Sequence, residues 1–144
     1  SAAKAKAEAD AREKADREAK AKTPDAARAR DGLWSLVMSC GVQSKNNRGP
    51  FSYPPLELVI SNGSFSVQQV VTHPGGVDTT DWRGNVAGST VRIQANAKRE
   101  KDGAKWSMSF AGNLDQGIGE AVGTMLDTQG DKIRDCKAAF KRLR

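Results

Sequence analysis

From Trp34 onward the chain alternates apolar and polar side chains with a period of two. Trp34, Leu36, Met38 and Cys40 share one parity, so in an extended strand they face the same side. The same alternation returns in Leu56–Ile60, where Leu56, Leu58 and Ile60 are in phase, and in Phe65–Val71, through Phe65, Val67 and then Gln69 or Val71. It continues through Thr80–Ala87, Thr90–Lys98, Lys105–Asn113 and Gly119–Leu126. Short turn signals separate the runs. Asn62-Gly63 is the sharpest, because a two-residue hairpin turn requires positive φ at both central positions. Asp102-Gly103 is a second such signal, and Gly88-Ser89 and Asp115-Gln116-Gly117 mark further turns. Two stretches, Gly41–Pro55 and Thr72–Thr79, read as longer irregular loops because of their Gly and Pro content.

The last segment supports two readings. As a helix, Asp131 caps it, and Ile133, Cys136, Phe140 and Leu143 form one stripe. As a strand over Ile133–Phe140, Arg134, Cys136, Ala138 and Phe140 share a face. Local propensity favours the helix. Regular turn spacing and topology favour the strand. Eight strands in an up-and-down meander place the last antiparallel to the first, which allows a closed barrel. They also put Cys40 and Cys136 at the same end of neighbouring strands, as a disulfide with Cα atoms about 5.5 Å apart requires. The expected fold class is therefore mainly β: an eight-stranded antiparallel up-and-down barrel or sandwich spanning 31–144. An α+β fold with a C-terminal helix at 131–144 is the alternative. Trp34, Trp82, Trp106, Met108, Phe110 and Phe140 are the expected core.

Residues 1–30 differ in kind. They are almost wholly Ala, Lys, Arg, Glu and Asp, with i, i+4 pairs such as Glu8/Arg12 and Glu18/Lys22. Ala7, Ala11, Ala15 and Ala19 are the only apolar seam, too small to hold a coiled coil. This predicts a charged helical stalk interrupted at Thr23-Pro24. In composition it resembles the Ala/Lys/Glu-rich stalk of TolA-type envelope proteins. The β region resembles small disulfide-closed barrel or sandwich domains of exported proteobacterial proteins. The residues carrying that likeness are Asp31-Gly32-Leu33-Trp34 with Cys40, Trp82-Arg83-Gly84, Val91-Arg92-Ile93, Phe110-Ala111-Gly112 and Asp135-Cys136. The likeness implies no particular activity.

Charge and chemistry narrow the function classes. The formal net charge is +6 over 144 residues, which makes acidic partners plausible without requiring them. Two cysteines at the ends of the β region suit a disulfide, hence an oxidising compartment, with the periplasm or the exterior as the expected location. Ser1 opens directly into polar sequence, which reads as a processed or trimmed product. No apolar run is long enough for a membrane-spanning helix. With a single histidine there is no zinc-ligand spacing, and no glycine loop leads into a helix, so no metal or cofactor is expected. The basic segment Lys132–Arg144 holds one aromatic, Phe140, at an inward parity, which argues against specific nucleic-acid binding.

His73 has Asp78 and Asp81 near it in sequence, and Thr79 or Ser52 supplies a hydroxyl. These are the residue types of a triad, but nothing in their spacing fixes the geometry, so the chain is read as non-catalytic. The expected function is a binding module of an exported or envelope protein, with a protein or cell-envelope component as its partner. Recognition is assigned to loops at one barrel end: Lys45, Asn46, Asn47, Arg48, Phe51 and Tyr53, with His73 beside them. The competing role for Phe51 and Tyr53 is a plug over the barrel end. The alternative function is a small periplasmic inhibitor or a lipocalin-like ligand carrier.

Overall fold

The structure is a computed structural model and describes residues 29–43 and 49–144. The helical stalk expected over 1–30 lies outside these residues, apart from Ala29 and Arg30. Nine strands form a single antiparallel sheet: β1 (Gly32–Cys40), β2 (Phe51–Ser52), β3 (Leu56–Ile60), β4 (Ser64–His73), β5 (Gly76–Ala87), β6 (Thr90–Arg99), β7 (Lys105–Leu114), β8 (Ile118–Leu126) and β9 (Lys132–Arg142). Among the described residues there is no helix. The sheet order is β2-β1-β9-β8-β7-β6-β5-β4, with β3 following β2 along the free side of β1. The sheet curls into a half-barrel around the apolar parity of every strand.

The ladder between β1 and β9 joins the start of the sheet to its end. It runs from Trp34↔Arg142 to Cys40↔Cys136. The two cysteines face each other directly and are disulfide-bonded, with Cα atoms 4.0 Å apart. The bond closes a loop of sequence separation 96. In the chain-entropy account such closure contributes about 4–5 kcal/mol. Disulfides of this kind persist in oxidising surroundings.

The C-terminal segment is therefore a strand, and the helical alternative is excluded. Its buried side chains are Arg134, Cys136, Ala138 and Phe140, the parity of a strand and not the stripe of a helix. Backbone ladders to β1 and β8 on both sides override the local helix preference.

Three sequence expectations need correction. First, the sheet is not a continuous ring. The Asn62-Gly63 hairpin forms, with φ of 53° and 75°, and the Asp31 carboxylate accepts hydrogen bonds from both turn amides at 2.8 and 3.0 Å. Beyond the Ser61↔Ser64 bridge, however, β3 and β4 share no ladder. Towards the upper end of that seam Pro54 and Pro55 have no N–H to give. Side chains span it instead. Gln69, buried on β4, donates to the Pro54 carbonyl at 3.0 Å and accepts from Trp82 Nε1 at 3.2 Å.

Second, Thr72–Thr79 is not an irregular loop. His73 pairs with Gly76 across a tight Pro74-Gly75 turn, because proline presets φ for the first turn position. Gly76, at φ 129°, takes a backbone conformation that a side chain would oppose. Third, Phe51 belongs to a strand: it pairs with Cys40, and Ser52 pairs with Ser39.

The middle of the half-barrel is solid. Trp34, Trp82, Met108 and Leu114 have no exposed surface, and Trp82 stacks on Phe110 with centroids 5.9 Å apart. The lower end, where β1 begins and β9 finishes, is closed by residues just ahead of β1. Trp34 Nε1 donates to the Arg30 carbonyl at 2.7 Å, Arg30 Nε to the Leu114 carbonyl at 3.1 Å, and Arg142 Nη1 to the Ala29 carbonyl at 2.9 Å.

These bonds tie Ala29 and Arg30 to the lower end of the sheet. Removing residues 1–28 is expected to leave the melting temperature unchanged within a degree or two. Removing residues 1–30 orphans the Trp34 indole, takes one acceptor from the Arg142 guanidinium, and should lower it by several degrees. Equal melting of the two truncations in a calorimeter would refute the docking.

Candidate functional site

The upper end of the half-barrel is built differently from the lower. There the core parity of the strands is continued by ionisable side chains. Asp78 on β5 is in phase with Thr80 and Trp82, and Arg99 on β6 with Ala95 and Ala97. Arg134 on β9 is in phase with Cys136 and Ala138. The sheet therefore carries these groups inward to the mouth.

Asp78 is the hub. It is 3% exposed, and a buried carboxylate is tolerable only when its oxygens are met. Oδ1 accepts from Arg99 Nε at 3.2 Å. Oδ2 accepts from the Tyr53 hydroxyl at 3.1 Å and lies 2.9 Å from His73 Nε2. The Gly75 amide donates to His73 Nδ1 at 3.0 Å. That bond requires the Nδ1 lone pair, so the proton of the neutral ring sits on Nε2, which lies in ion-pair range of Asp78 but without the geometry of a hydrogen bond to it. Nδ1 is thereby engaged, while Nε2 makes no hydrogen bond among the described residues. Neither Thr79 nor Ser52 is hydrogen-bonded to the ring.

A cavity of about 440 Å³ opens above this hub. Phe51, Tyr53, Val71, Trp106, Met125 and Ile133 give it apolar walls. His73, Asp78, Arg99, Lys105 and Arg134 supply its polar rim. Two cations lie on aromatic faces: Arg134 over Phe51 at 4.6 Å and Arg99 over Trp106 at 5.4 Å. Arg134 Nη1 also donates to the Gly41 and Gly49 carbonyls at 2.9 and 3.0 Å, and Nη2 to Gln43 Oε1 at 3.2 Å. Among the described residues, Trp106 Nε1 is a buried donor with no partner.

Of the residues that the sequence pointed to, Phe51, Tyr53 and His73 meet in this one cavity. Tyr53 is 5% exposed and acts as part of the floor, the plug role weighed against it from sequence. Phe51 is half-buried, between the Tyr53 ring at 5.4 Å and Arg134. Lys45, Asn46, Asn47 and Arg48 lie outside the described residues. Sequence reasoning missed Arg99, put Arg134 on the inward face of the last strand without a role, and considered Asp78 as a sequence neighbour of His73. The signal was there: each sits at a core parity at the upper tip of its strand. Trp106 had been assigned to the core, and instead it is half-buried and walls the cavity.

The architecture defines the class: an antiparallel β half-barrel with a solid centre and one open, charged mouth. It is similar to the crystal structure of the ywiB protein from Bacillus subtilis, with a TM-score of 0.50 at 10% sequence identity, over 80% of this chain and 94% of that one. At that identity the likeness is one of fold alone. No family model matches the chain, and no curated protein matches it by sequence.

The hub has a measurable signature. Burial, and then the charge and hydrogen bond of Asp78, raise the Tyr53 phenol far above its ordinary value of 10.0. A raised acid stabilises the fold fully below the unfolded value, so this contribution is present below pH 10 and is lost as the pH rises beyond it. Tyr53 is the chain's one tyrosine, so tyrosinate absorbance reports it without ambiguity. No ionisation is expected near pH 10, and the band should appear only together with loss of the β circular dichroism. A reversible titration near pH 10 in folded protein would show that the floor is open to water. Replacing Asp78 by Ala should cost about 3 kcal/mol in urea denaturation at neutral pH, because it leaves Arg99 and Tyr53 without their common acceptor.

Proposed function

We propose that this chain is a non-catalytic binding domain of an exported or envelope protein, and that it binds at the upper mouth of the half-barrel. The observation that carries the reading is the cavity itself. It lies within the ordinary size range of ligand sites and combines apolar walls with a few convergent polar groups. Its floor is held together, since Tyr53 and Arg99 are hydrogen-bonded to Asp78 and His73 stands 2.9 Å from it. Preorganisation of this kind lowers the ordering cost of binding. Against catalysis stands the use of His73 Nδ1 and of both Asp78 oxygens in structural hydrogen bonds. The disulfide supports placement in the periplasm or outside the cell.

A ligand carrier of the lipocalin kind is the second reading, and the same cavity volume favours it. The solid centre sets its form: cargo would rest in the mouth and would not enter the interior, where Trp82, Met108 and Phe110 are packed.

A fragment screen by amide chemical-shift mapping tests the proposal. Hits should perturb residues 73–78, 99–106 and 133–134 together. Hits scattered over the sheet's outer face, or none at millimolar fragment, would dismiss the mouth as a binding site.

A further inference from the structure

We infer that the mouth takes a small organic anion with a flat apolar body, oriented with its acidic group toward Arg99 and Lys105. This inference rests on the reading of the mouth as a binding site and adds the chemistry of what binds. Three cationic residues line the cavity, Arg99, Lys105 and Arg134, against a single acidic one, Asp78. Asp78 is not available to repel an anion in the way an open carboxylate would. Its oxygens are covered by Arg99, Tyr53 and His73, and it is all but inaccessible. His73 contributes no negative charge; its Nδ1 accepts from the Gly75 amide and its Nε2 lies 2.9 Å from Asp78.

The arginine on the rim has donors to spare. Arg99 spends Nε on Asp78, while its Nη1 stands 3.9 Å from Asp102, beyond hydrogen-bonding distance. A planar guanidinium fixed along one edge presents its other edge in a fork that matches a carboxylate or sulfonate. Lys105, at the start of β7, pairs with Lys98, has the outward parity and is exposed, so it lines the cavity from the outer side of the rim. The body of the ligand is dictated by the walls. Phe51 and Trp106 offer aromatic surface, and Val71, Met125 and Ile133 aliphatic surface. A simple inorganic anion would leave those walls wet. A cation would meet Arg99 and Lys105 at the rim and would be repelled. The chain's net charge of +6 works in the same direction at longer range, drawing anions toward it.

A charge-matched series tests this on the full, disulfide-bonded chain. The probes are 2-naphthoate, the neutral 2-naphthamide and the cationic 2-naphthylmethylamine, titrated by calorimetry at low salt. The indole N–H resonance of Trp106 marks the site. Naphthoate is expected to bind at least tenfold more tightly than the amide, and the amine not measurably. The gap should shrink on adding salt, because the rim is reached by solvent. Lys105→Gln, which touches none of the hub bonds, should weaken naphthoate several-fold and leave the amide unchanged. Arg99→Gln should weaken it further. Because Arg99→Gln also disturbs Asp78, the lysine variant decides the matter if the arginine variant is unstable. If amide and acid bind equally, with the Trp106 signal moving for both, the anion assignment is overturned and the mouth remains a site. If none of the three moves that signal, both the assignment and the mouth as a site fall.

Discussion

Everything in this protein hangs on the pairing of its first and last long strands. The β1–β9 ladder is the contact of highest sequence separation in the sheet, and it must form before the curl has an inside. Backbone bonds from Trp34 to Cys40 hold it, and the Cys40–Cys136 bond locks its upper tip. From β8 to β5 each strand then pairs on both sides with its neighbours in sequence, down to the edge at β4, while β2 and β3 both pair with β1. The cost of organising the fold is thus concentrated in one long closure, and local hairpins supply the rest.

That closure also sets up the mouth. Arg134 is two residues ahead of Cys136 on β9, and Phe51 pairs with Cys40 on the other side of the disulfide. The guanidinium–ring contact therefore sits directly above the covalent link, on strands that cannot slide. On the opposite wall Asp78 fixes Tyr53 and Arg99. The centre is apolar and closed, while the mouth is polar, and the division follows from where along each strand the inward side chain changes from hydrocarbon to charge. A buried charge cluster of this kind contributes more to geometry than to stability, since the desolvation of Asp78 offsets much of what its partners return.

Much of this was legible in the alternation of side chains. The strands, the Asn62-Gly63 hairpin and the disulfide partners all follow from the parity of apolar residues and from turn chemistry. What sequence reading did not reach has three physical causes. The missing ladder between β3 and β4 is a property of curvature, which no local pattern encodes, although Pro54-Pro55 mark its upper part. The turn at Pro74-Gly75 looked like a loop because glycine and proline serve both tight and loose connections. Arg99 was passed over, and Asp78 and Arg134 were given no place at the mouth, because charged residues at strand ends are ordinarily solvated. Their phase with the core, more than their type, was the informative fact. The same logic explains Tyr53: standing among prolines it looked spare, yet its ring is floor and its hydroxyl is a hub ligand.

The lower end of the sheet has a topological consequence. Leu33 donates to the Arg144 carbonyl at 2.8 Å, and the Leu143 amide returns a bond to Leu33 at 2.8 Å. The entrance to β1 and the exit from β9 therefore stand side by side, far from the mouth. A short linker between them would make a circular permutant, with new ends opened at Gly88-Ser89 or Asp102-Gly103, without displacing a strand. By the same geometry a host polypeptide can carry this unit as an insert, entering and leaving at one point, while the mouth faces away from the host.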